Sequence, residues 1–124
     1  MPSPLRSISA SAAFALLAGV ALWPPRAVYW TRLAAVVGDA VTLALVGFVA
    51  LVLGAAFTRL AGVATRPFAL GVGLAYVVGM AAIDGLLAPD SPVHLVWYAA
   101  LAACFVGGAA VQARAAGRAT TPAA

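Results

Sequence analysis

Four apolar runs, none with more than one formal charge, follow one another along the chain, with all seven arginines and most of the prolines in the short links between them and in the two flanking ends. In hydrocarbon a backbone must satisfy its own N–H and C=O groups within the segment, so runs of this kind are expected to be membrane helices. The runs are predicted at about 8–23, 33–57, 68–88 and 93–113, about two thirds of the 124 residues, which leaves no room for a soluble domain. The expected fold is an all-α membrane protein forming one integral membrane domain, with four transmembrane helices in an up-down bundle. The tail 114–124 is expected to be flexible.

Composition agrees: 65% of residues are hydrophobic and 8% charged, against about 25% charged in an ordinary soluble domain. Seven arginines and three aspartates carry all the formal charge, and the chain has no Lys, Glu or Asn. Arginines scattered in ones and twos between apolar runs match lipid phosphates rather than nucleic acid. With the N-terminus inside, Arg6, Arg59, Arg66, Arg114 and Arg118 face the cytoplasm against Arg26 and Arg32 outside, which argues for an N-in, C-in protein of the inner (plasma) membrane. The residue usage resembles that of a GC-rich bacterial genome.

The boundaries have local signals. The first run has only 16 residues, about 24 Å, after Arg6 and before Pro24-Pro25. An uncleaved helix is favoured over a signal peptide, because WPPRAVYW lacks a small-x-small cleavage site. Trp23, Tyr29 and Trp30 suit an interfacial aromatic belt. Gly62 is a helix stop, Thr65 with Pro67 a start, and Pro89-Asp90-Ser91-Pro92 a break. Packing between helices is expected from small-residue faces: Gly71, Ala75 and Gly79 on the third run, and Ala99, Ala103 and Gly107 or Ala100, Cys104 and Gly108 on the fourth.

Few residues can carry chemistry. Asp39 is placed six residues inside the second run, where a carboxylate must be hydrated, paired or protonated. It is therefore a candidate proton or cation site, with a structural pair to Arg32 as the plainer alternative. Asp84, at a similar depth in the third run, is its candidate partner, and Asp90 and His94 complete an outer polar cluster. One histidine and one cysteine, Cys104, exclude bis-His haem, disulfide and all-Cys metal sites, so no metal or other cofactor is expected. No nucleophile elbow, phosphate-binding loop or dinucleotide fingerprint is present, and no catalytic residues are assigned.

The absence of Glu separates the chain from the small multidrug-resistance transporters and bacterial diacylglycerol kinases, and the absence of Asn from small fluoride channels. A single cysteine separates it from mercury-uptake proteins. Over about residues 28 to 111 it resembles a group of uncharacterised bacterial multi-pass membrane proteins with a Gly-(x)-Asp-x-Val-Thr-Leu segment at the start of a membrane helix. Gly38, Asp39, Val41, Thr42 and Leu43 match that segment. The chain departs from the group in having Tyr76 without further tyrosines in the third run, and in ending before longer members do. That resemblance implies no activity and marks Asp39 for testing.

The expected function is non-enzymatic: association in the lipid bilayer with itself, as a homo-oligomer, or with another membrane protein, and no nucleic-acid partner. The alternative is a small proton- or cation-coupled transporter or channel subunit using Asp39, with or without Asp84.

Overall fold

The computed structural model describes residues 3–23, 30–87 and 93–120. These form five α-helices, with no strand among the described residues: α1 (Pro4–Leu22), α2 (Trp30–Val37), α3 (Asp39–Ala61), α4 (Thr65–Leu87) and α5 (Val93–Thr120). Four of them, α1, α3, α4 and α5, are long and apolar enough to cross a membrane.

α1 begins four residues before the expected start. The Ser3 hydroxyl caps it by accepting the Arg6 N–H at 3.2 Å, and Pro4 occupies a first-turn position where a missing N–H costs nothing. Its 19 residues reach about 28 Å, close to the thickness of a hydrocarbon core.

The run expected as one helix over 33–57 is two. Gly38 sits at φ 91°, ψ 159°, a backbone region that essentially only glycine enters, and it parts the short amphipathic α2 from α3. The junction keeps its hydrogen bonds. The Gly38 N–H donates to the Ala34 carbonyl at 2.8 Å, while the Gly38 carbonyl accepts the Thr42 N–H at 3.1 Å and the Thr42 hydroxyl at 2.8 Å.

Gly62 ends α3 as expected, in the left-handed conformation at φ 68°, with its N–H and that of Val63 both donating to the Thr58 carbonyl. α4 starts at Thr65, with Pro67 inside its first turn. α5 continues past the expected end at Ala113 to Thr120, so residues 114–120, expected to be flexible, are helical. The expected break at 89–92, with Asp90 in it, residue 88 before it, the link 24–29 and residues 121–124 lie outside the described residues.

Packing is most extensive between α3 and α5 and between α1 and α4. α3 buries Thr42, Val46, Ala50, Gly54 and Thr58, one residue in every four, and so presents a single ridge along its length. A Cβ on Gly54 would collide with the Phe105 backbone, and one on Gly108 with the Leu51 backbone. The two glycines thus let α3 and α5 touch backbone to backbone. α1 has an equivalent ridge of Ser7, Ser11, Ala15 and Gly19. The Ser11 hydroxyl turns back to the Ser7 carbonyl at 2.6 Å, leaving its Cβ to meet Gly71 of α4.

The expected face on the third run is in use, with Gly71 and Ala75 buried. The expected faces on the last helix are used in part: Ala99, Ala100 and Ala103 are exposed, but Gly108 is buried against the Leu51 backbone and Cys104 packs against the core, with Leu101, Phe105 and Ala109 completing the inward face. Large inward side chains on α5 fit because α3 supplies the small ones.

Candidate functional site

Several polar side chains gather at the end of the bundle formed by the C-terminal ends of α1 and α4 and the N-terminal end of α5. Asp84, in the last turn of α4, lies with Oδ1 3.1 Å from His94 Nε2 in the first turn of α5. The aspartate side chain is 59% exposed and the histidine 15%, so the contact sits at the rim. The Trp23 carbonyl, left without a helical partner at the end of α1, accepts the Tyr98 hydroxyl. Trp23 and Trp97 meet edge to face with centroids 5.3 Å apart, and Trp97 Nε1 is buried with no hydrogen-bond partner among the described residues. Deeper in, the Tyr76 hydroxyl donates to the Leu95 carbonyl at 2.9 Å.

These contacts bring together two of the residues singled out from sequence, Asp84 and His94. Asp39 is elsewhere. It is the first residue of α3 and is exposed, because the break at Gly38 makes it the start of a new helix and not a position six residues inside one. A carboxylate there faces the positive end of the α3 dipole, a favourable position needing no partner. Arg32 is exposed on α2, and no ion pair joins it to Asp39 among the described residues. Nor does any group of three or more His, Cys, Asp or Glu side chains among the described residues have the geometry to hold a metal ion.

A cavity of about 320 Å³ opens between α1, α4 and α5 below the Asp84–His94 contact. Its lining is apolar apart from Tyr76 and Tyr98, whose hydroxyl protons are already given to backbone carbonyls. The cavity therefore offers an occupant shape and hydrocarbon contact but no acid, base or nucleophile. Sequence pattern alone did not single out Tyr98. The available signal was its place one turn after His94, where an amphipathic ring reaches from the interface into the bundle.

No known family model, curated protein or solved structure matches this chain.

Proposed function

We propose that the chain is a small, non-enzymatic inner-membrane protein that acts by association with itself or with another membrane protein. The carrying observation is how little of each spanning-length helix the chain buries in itself: between 22% and 28% of the most apolar window. Large apolar side chains such as Phe48, Leu74 and Val96 point outward and leave wide surface for lipid or for a second subunit. The non-enzymatic reading is supported by the chemistry of the interior, where the cavity has no free polar group.

In this reading the four spans alternate in direction as an up-down bundle with both termini inside. Ser11 lies against Gly71, Phe14 against Phe57, and Thr58 against Gln112, contacts that gather Arg6, Arg59, Arg66 and Arg114 at one end. That end is the cytoplasmic one by the arginine bias, and its four guanidinium groups suit the anionic inner leaflet.

Single-molecule photobleaching of labelled protein in lipid vesicles tests the association. Bleaching in two or more steps that persists as the protein is diluted in lipid is the expected result. Single-step bleaching at every dilution, together with no partner recovered from native membranes, would overturn it.

A further inference from the structure

The cavity between α1, α4 and α5 is an elongated groove, with Val72 and Leu86 marking its reach along α4. That reach is about 21 Å at 1.5 Å per residue, enough for one leaflet of a hydrocarbon core about 30 Å thick. Small side chains give the groove its width. Gly19 is buried, yet a Cβ placed on it would meet nothing within 4 Å, so the space beside it belongs to the groove. With the Tyr76 and Tyr98 protons committed to carbonyls, the groove walls offer no donor to an occupant. A polar solute would lose its hydrogen bonds there, and a hydrocarbon chain would lose nothing.

The mouth adds a charge preference. Asp84 lies one turn from Met80 and next to Ile83, both of which line the groove, and its carboxylate is 59% exposed. Among the described side chains, Arg6, Arg59, Arg66 and Arg114 gather at the opposite end, while this end carries Asp84 and Asp39 with Arg32, and of the exposed Asp84 carboxylate His94 Nε2 contacts only Oδ1, at 3.1 Å. An ammonium-bearing headgroup is the electrostatic complement of such a mouth, and a purely anionic headgroup is not. We propose that the groove holds one acyl chain of a phospholipid with a primary-ammonium headgroup, its ammonium at Asp84. The proposal rests on the chain being membrane-embedded and not on its self-association.

The test uses the full chain in vesicles of glycerol-headgroup phospholipid containing a trace of an ethanolamine-headgroup phospholipid with a photoreactive acyl chain. Labelling is expected to saturate, to concentrate on groove residues such as Met80, Ile83 and Ala102, and to be competed by unlabelled ethanolamine lipid. Glycerol-headgroup lipid should compete about threefold less well, the scale of one exposed ion pair, and Asp84→Asn should erase that difference. Gly19→Leu, which fills the groove, should abolish the groove label, and Ala82→Trp at the exposed rim should do so without altering the helix contacts.

Unsaturable label spread evenly over Leu17, Phe48 and Val77 would overturn the groove while leaving membrane embedding intact. Equal competition by the two lipids would overturn the headgroup assignment. Absence of label from all four long helices would overturn the groove and the embedding together.

Discussion

Phe14 of α1 lies nearly flat on Phe57 of α3, with ring centroids 4.4 Å apart and planes 10° from parallel. Phe68 of α4 and Phe105 of α5 close around the same ring at 5.9 and 5.5 Å. Each spanning-length helix thus supplies one phenylalanine to a common cluster. Lipid is as apolar as these side chains, so the cluster holds through packing and ring geometry more than through exclusion of water.

Removing the shared ring should loosen the meeting point of all four helices. Phe14→Ala is expected to destabilise the protein by roughly 2–4 kcal/mol, combining three ring contacts with a cavity. Thermal unfolding in detergent checks this. A change below about 0.5 kcal/mol would mean that the cluster is incidental, since surface substitutions fall in that range.

The α3–α5 contact depends on glycine where backbones touch and not elsewhere. Gly54→Leu should separate the two helices and cause severe loss of folded protein, because its Cβ would overlap the Phe105 backbone. Gly107→Ala, which meets nothing within 4 Å, should be neutral or gain up to about 1 kcal/mol from helix propensity. Yield of monodisperse protein and its melting temperature separate the two outcomes.

The Gly38 junction should be more demanding than the Gly62 cap. At Gly38 the backbone lies in a glycine-only region, so Gly38→Ala is expected to cost about 1–3 kcal/mol. Gly62 is in the left-handed helical region that asparagine tolerates, and Gly62→Asn should cost under about 1 kcal/mol. Thermal melts of the two variants check the order, and a costlier Gly62→Asn would contradict it.

Much of the fold was readable in advance because long, nearly uncharged apolar runs specify helices of membrane-spanning length directly. The four long helices, the stop at Gly62 and the face at Gly71 and Ala75 all follow from residue type and spacing. The junction at Gly38 did not, because averaging over a long apolar run hides one backbone torsion. Its local trace was Gly38-Asp39 followed by Thr42, a residue able to bond back across a helix start. The inward face of α5 was read only in part, since Cys104 and Gly108 lie in it but Leu101 and Phe105 were not singled out. A ladder of alanines resembles a contact face, but the face is decided by what the partner helix presents, and α3 presents small residues to Leu101 and Phe105. The Asp84–His94 contact joins the ends of two helices, and no spacing rule within a single helix reveals it.

Asp39 separates the associative account from transport. Exposed at the start of α3, its charge should contribute only the dipole term, about 0.3–1 kcal/mol, to stability. Asp39→Asn is accordingly expected to leave proton and cation flux in proteoliposomes at the level of empty vesicles and of wild type alike. Wild-type flux above that background which Asp39→Asn abolishes would establish the transport alternative.

The most direct test of the associative account is the intact mass of the full chain released gently from native membranes with its surrounding lipid. A mass of at least two copies, or of one copy with a second membrane protein, is predicted. A mass of 12.3 kDa plus lipid alone, under conditions that preserve known membrane oligomers, would contradict it.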